Sequence, residues 1–126
     1  MGREYARTQR VAQLLKEEIS RLLQREVKDA RVGMVTVTDV RVTRDLKYAD
    51  VFVYLSGDED RRAAALEGLT SAAGFMRSRL GRDLRIRRIP ELRFVMDRTQ
   101  DYAARIHQLL SEVGPIEESD EGEDER

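Results

Sequence analysis

The sequence predicts an α+β fold, a three-stranded sheet with helices on one face, and three observations carry that expectation. Apolar residues recur at steps of three and four near the start, in the middle and again before residue 113. Two neighbouring β-branched segments, joined by only four residues, alternate with period two and should pair antiparallel. A third alternating segment follows only after the long central helix, so the sheet gains its last strand through a helical crossover.

Glu4 to Val27 reads as the first helix, with Val11, Leu14, Leu15, Ile19, Leu22 and Leu23 at helical spacing. Met34 to Thr43 reads as a strand whose alternation slips: Val35 and Val37 are odd, Val40 and Val42 even. One extra residue near Thr38-Asp39, a bulge, returns all four valines to one face. Arg44 to Lys47 is a turn. Tyr48 to Ser56 is the second strand, with Ala49, Val51, Val53 and Leu55 on one face and Phe52 and Tyr54 on the other. Asp58 or Asp60 can cap the central helix, where an acid suits the helix dipole.

The central helix carries Leu66, Leu69, Ala73, Met76 and Leu80 as its stripe. Ala72-Ala73-Gly74 interrupts it, and an interior glycine costs about 1 kcal/mol against alanine. A broken helix is therefore expected there, its second half ending at Gly81. Leu84 to Asp97 reads as the third strand, with Pro90 marking a bulge, an edge position or a local break because it cannot donate to a ladder. Thr99 to Val113 is a last helix, capped by Thr99 or Asp101, with Tyr102, Ile106, Leu109, Leu110 and Val113 as its apolar face. Gly114-Pro115 stops it.

Residues 1–113 form one expected domain and 114–126 an acidic, disordered tail. The net charge of −1 hides a separation of signs. The tail holds seven acids and one arginine, a charge of −6, which leaves +5 on the body. Between Arg77 and Arg98 stand eight arginines against Asp83, Glu91 and Asp97. Guanidinium this dense suits phosphate, which its planar fork can grip. The same composition also fits a solvated surface with a polar end.

Other chemistries find little support. There is no cysteine, which excludes disulfides and thiolate catalysis and fits a reducing compartment. The single histidine, His107, has neither a second histidine nor a cysteine to complete a metal site. Neither GxxxxGK[ST] nor GxGxxG occurs. MGREYARTQR has no apolar run, so no signal peptide is expected, and no window approaches a membrane span. A non-catalytic, cytoplasmic binding protein without cofactor or metal is the expectation.

The element order α-β-β-α-α-β is that of a type II KH domain, which clamps nucleic-acid backbone at a GXXG loop between two helices. Here Ala72-Ala73-Gly74 stands in that place. Four segments, RTQRVAQLLKEEIS, VTVTDVRVTRDLKYADVFVYLS, SAAGFMRSRLGRDLRIRRIPELRF and MDRTQDYAARIHQLL, resemble bacterial ribosome-binding factor A over about residues 3 to 113. The resemblance implies a KH-like fold in which a helix-kink-helix replaces the loop. It implies binding to the small (30S) ribosomal subunit or its precursor, help in late maturation of its RNA, a link to growth in the cold, and departure before translation.

On this reading the RNA-contacting residues are Arg77, Arg79, Arg82, Arg85, Arg87 and Arg88 after the kink, with Arg3, Arg7 and Arg10 on the first helix. Ala72, Ala73 and Gly74 are included because a kink would free backbone N–H groups for a phosphate. In a strand, Arg85 and Arg87 would share one face and Arg88 the other. The partner is the small subunit through ribosomal RNA, and ribosomal proteins too; the expected state is a monomer with no membrane contact. A generic single-stranded-RNA module, a protein-interaction domain using Phe52 and Tyr54, and a small hydrolase remain as alternatives, the last the weakest.

Overall fold

The computed structural model describes residues 2–27 and 29–113. The elements are α1 (Gly2–Arg25), β1 (Val35–Val42), β2 (Tyr48–Leu55), α2 (Glu59–Asp83), β3 (Glu91–Met96) and α3 (Thr99–Val113). The sheet order is β1-β2-β3. β1 and β2 pair antiparallel, and β3 joins β2 in parallel, as a strand returning through a helical crossover does. The α+β fold with a three-stranded sheet stands as expected, and the KH-like order fits it. The tail from Gly114 lies outside the described residues.

The bulge sits where the slipped alternation places it. The register moves between Val37 and Asp39, so Val37 faces Val53 and Val40 faces Val51. All four valines of β1 thereby reach the helical side of the sheet. That side meets Leu15, Ile19 and Leu22 of α1 and Leu69, Met76 and Leu80 of α2 in one core. Ala49, Val51, Val53 and Leu55 are fully buried beneath the helices, while Tyr48, Asp50, Phe52 and Tyr54 alternate onto the open face.

Two expectations about the centre are corrected. α2 does not break at Ala72-Ala73-Gly74; it is one continuous helix from Glu59 to Asp83. The buried positions explain why. Leu69, Met76 and Leu80 keep a single helical phase across the glycine, with Ala72 and Ala73 packed against the core between them. A break would move that stripe out of phase, at far greater cost than the roughly 1 kcal/mol that glycine exacts. Gly81 is likewise inside the helix. The end is Leu84, in extended backbone, whose N–H bonds the Leu80 carbonyl. Asp58 is the N-cap, its carboxylate accepting from the Arg61 N–H at 2.8 Å.

The third strand is also shorter than expected. Residues 84–90 are irregular and only Glu91–Met96 pair with β2. Pro90, fully buried, has no N–H to offer a ladder. The ladder opens at Glu91, whose N–H bonds the Lys47 carbonyl at 2.8 Å. The connector is held instead by a side chain: Arg77 donates from Nε and one Nη to the Ile89 carbonyl, at 3.1 and 2.9 Å.

α3 matches its expected span, Thr99–Val113. Its first N–H meets Asp97, whose Oδ1 accepts from Thr99 at 2.9 Å. No helix of the described residues is long and apolar enough to cross a membrane.

Candidate nucleic-acid interface

Three segments converge at one end of the sheet: the amino-terminal half of α1, the β1–β2 turn and the connector 84–90. Arg7 and Val11 from α1, Asp45 and Leu46 from the turn, and Ile86, Arg87 and Arg88 from the connector line one open groove. A second groove is lined by Lys47, Tyr48, Arg77, Arg88 and Glu91. Arg88 belongs to both. Five cations drawn from four parts of the chain thus surround adjoining depressions, with Asp45 and Glu91 as the acids present.

Local geometry explains this convergence. Arg3, Arg7 and Arg10 are spaced by four and three, one stripe of α1. The turn is built on Thr43 and Asp45. Asp45 Oδ1 accepts from the Thr43 hydroxyl at 2.9 Å and from the Lys47 N–H at 3.1 Å. Those bonds, the Lys47 N–H foremost, hold the Asp45 carboxyl below the ordinary range and keep it charged. Leu46 takes a φ of 62°, the left-handed region that side chains other than glycine, asparagine and aspartate rarely adopt. Strain of that kind gathers at functional sites. The Glu91–Lys47 backbone bond then fixes the connector's exit against the turn.

The expected arginines divide into three groups. Arg7, Arg77, Arg87 and Arg88 are brought together. Arg3, Arg10, Arg82 and Arg85 are exposed, with no carboxylate within 4.0 Å among the described residues, but line neither groove. Arg79 is spent internally, paired with Glu26 just after α1 through both Nη groups and only 26% exposed in its side chain. Arg77 has no carboxylate within 4.0 Å among the described residues but uses two donors on the Ile89 carbonyl, so it braces the connector as well as facing the groove. Because 84–90 is not a strand, Arg87 and Arg88 are free of the alternation that would have placed them on opposite faces, and both line the first groove.

Ala72, Ala73 and Gly74 line neither groove. Within a continuous helix their N–H groups are bonded to the preceding turn, so no phosphate nest forms there. Gly74 is exposed, with open space where a side chain would stand. Lys47 is the residue that sequence reasoning missed; a basic residue in a hairpin turn beside a strained leucine was the available signal.

The open sheet face differs. Arg41 lies over the Phe52 ring at 5.0 Å, Arg93 over Tyr48 at 4.3 Å and Arg62 over Tyr54 at 5.8 Å. Arg41 and Arg93 are also paired with Asp39 and Asp50. These rings are covered by the chain's own guanidinium groups, which disfavours them as a stacking platform. Among the described residues no cluster of three or more metal-ligating side chains occurs.

A family model described as ribosome-binding factor A matches residues 7–110. The chain belongs to the ribosome-binding factor A family. A ribosome-binding factor A from Halothermothrix orenii is 44% identical over 117 residues, covering 93% of this chain and 96% of that protein. The crystal structure of ribosome-binding factor A from Thermus thermophilus superposes with a TM-score of 0.65 at 28% identity, covering 73% of this chain and 97% of that one. A homology model of the Thermus thermophilus factor, fitted into a cryo-EM map of its complex with the 30S subunit, gives 0.57 at 30% identity over 68% and 89%. The solution structure of a putative member from Thermotoga maritima gives 0.52 at 32% identity over 67% and 84%. Every residue that lines the two grooves, from Arg7 to Glu91, lies within the family match.

Proposed function

We propose that this protein is a non-catalytic maturation factor that binds the free small (30S) ribosomal subunit or its precursor in the cytoplasm. In this reading it assists late processing of the 16S RNA and supports growth in the cold. The observation that carries the reading is the meeting of Arg7, Lys47, Arg77, Arg87 and Arg88 around two adjoining grooves, in a chain of a ribosome-binding family. The Thermus relative fitted into a 30S complex supports the same partner.

The chemistry is recognition of phosphate. Guanidinium groups from α1 and the connector, with the ammonium of Lys47, attract and position the RNA backbone and read its shape rather than its bases. An unbroken α2 offers no GXXG-type clamp, which disfavours a module for short single strands. Arg3, Arg10, Arg82 and Arg85 extend the positive field around the grooves and speed encounter.

The test is the triple variant Arg7→Glu, Arg87→Glu, Arg88→Glu, sedimented with purified small subunits. All three side chains are exposed, so the fold should survive, which circular dichroism checks. Co-sedimentation should collapse, and the salt dependence of binding should flatten by about 0.9 in log–log slope for each phosphate no longer neutralised. Binding equal to the parent protein would overturn the proposal.

A further inference from the structure

A cleft of about 460 Å³ lies between the amino-terminal half of α1 and β1, an edge strand of the sheet. That is the size of a small-ligand site. Ala12, Val40 and Val42 give it an apolar floor. Tyr5 and Gln9, on one stripe of α1 with Ala12, and Arg44 from the hairpin turn complete it. Tyr5 is 67% exposed and lies outside the core. Neighbouring polar groups are engaged. The Thr8 hydroxyl donates to the Tyr5 carbonyl at 2.9 Å, and Asp39 accepts from the Val40 N–H at 2.9 Å and from Arg41 Nε at 3.1 Å. The Tyr5 ring, the Gln9 amide and the Arg44 guanidinium, 78% exposed, are left to meet a ligand.

The cleft is continuous with the cationic surface. Arg7 and Val11 line the first groove, and at 3.6 residues per turn they lie on the flank of α1 opposite Tyr5 and Gln9. A shallow depression lined by Glu4, Thr43, Arg44 and Asp45 joins the two sides, sharing Glu4 and Arg44 with the cleft and Asp45 with the groove. An RNA strand seated in the grooves reaches the cleft round the first turn of α1, over about one helix diameter, roughly 10–12 Å. A cleft beside an edge strand can also take a peptide by strand addition. This edge opposes that use: β1 bulges between Val37 and Asp39, and the Val40 N–H is already capped by Asp39.

We infer that the cleft receives one unpaired base of the bound RNA, stacked on Tyr5 and read along its edge by the Gln9 amide, with Arg44 on the adjoining phosphate. Adenine suits the amide best, because its N6 and N7 match one acceptor and one donor. This rests on the proposed function and deepens it. The arginine grooves read the shape of the backbone, and the cleft adds a single base.

The probes are hairpin RNAs that share one stem, either fully paired or carrying a three-nucleotide bulge centred on adenine or uracil. They are titrated with the full chain and with Tyr5→Ala, Tyr5→Phe and Gln9→Ala. Both positions are exposed, so the fold should survive, which circular dichroism checks. The parent should favour the adenine bulge over the paired stem by about 5- to 150-fold, the contribution of one stacked base. Tyr5→Ala should abolish that preference and leave affinity for the paired stem unchanged, while Tyr5→Phe keeps both. Gln9→Ala should bring the adenine and uracil bulges to one affinity. Four results would overturn the inference: a parent without preference for the bulge, an equal loss on paired and bulged RNA in Tyr5→Ala, adenine discrimination that survives Gln9→Ala, or a Tyr5→Ala loss on purified small subunits but on none of the RNAs, which would make the cleft a polypeptide site. Failure of the proposed function reads differently: the Arg7, Arg87 and Arg88 triple variant would then bind the paired stem as the parent does.

Discussion

Two glycines of α2 give the most direct test of the central helix. Gly74→Ala adds a methyl group where nothing lies within 4 Å, in a helical segment. Alanine is favoured over glycine in a helix interior by about 0.8–1.0 kcal/mol, and no contact opposes the gain. For a body of this size that corresponds to a rise in melting temperature of roughly 4–8 °C. Gly68→Ala makes the same chemical change six residues earlier, where space is short. Its Cβ would stand 3.0 Å from Val32 Cγ2 and 3.3 Å from Arg31 Cβ, where the connector after α1 crosses the helix. The connector must shift or the helix must move, and overpacking of this kind costs about 1–3 kcal/mol. Set against the propensity gain, the net change runs from about zero to about 2 kcal/mol of destabilisation, so Gly68→Ala should be less stable than Gly74→Ala. Urea unfolding followed by circular dichroism measures both. A destabilised Gly74→Ala protein would refute the continuous helix and restore the break expected from Ala72-Ala73-Gly74.

Met76→Ala, at a fully buried position facing the sheet, should cost about 2–5 kcal/mol in the same assay. Asp45→Asn keeps the oxygen that accepts from Lys47 but removes the negative charge at the first groove; affinity for the small subunit should rise about two- to fivefold at low salt and converge with the parent at high salt. Acid should weaken the fold through Asp97, whose carboxyl is held at about 2 by the Thr38 hydroxyl and then by Thr99. Because the folded value lies below the ordinary 3.8, the unfolded chain binds the proton first. The contribution is complete above about pH 4 and drains towards pH 2. Urea midpoints between pH 7 and pH 2.5 should therefore fall less in Asp97→Asn than in the parent; parallel slopes would contradict the role.

The elements that bury one clean stripe were readable from the residues. The valines of β1 announced their own bulge, because only an inserted residue returns Val40 and Val42 to the face of Val35 and Val37. The centre was misread because a local preference was weighed alone. Gly74 costs little, and the phase of Leu69, Met76 and Leu80 is worth more. Beyond α2, the alternation of Leu84 and Ile86 mimicked a strand that Pro90 and the Arg77–Ile89 bonds replace with an irregular connector. The arginines were visible as a count but not as a surface. Nothing in sequence spacing reveals that Arg79 is consumed by Glu26, or that Arg7 meets Arg87 across 80 positions.

The backbone bond from Glu91 to Lys47 ties the last strand's first rung to the tip of the hairpin, and the cationic crevice is assembled from chain on both sides of that rung. Its charges come from segments far apart in the chain and gather only once the sheet has closed, so an unfolded chain has no comparable anion trap. A polyanion that enters the crevice therefore acts on the folding equilibrium itself, drawing the chain towards its closed form by mass action. Ribosomal RNA would serve the free protein as a thermodynamic scaffold as much as a destination.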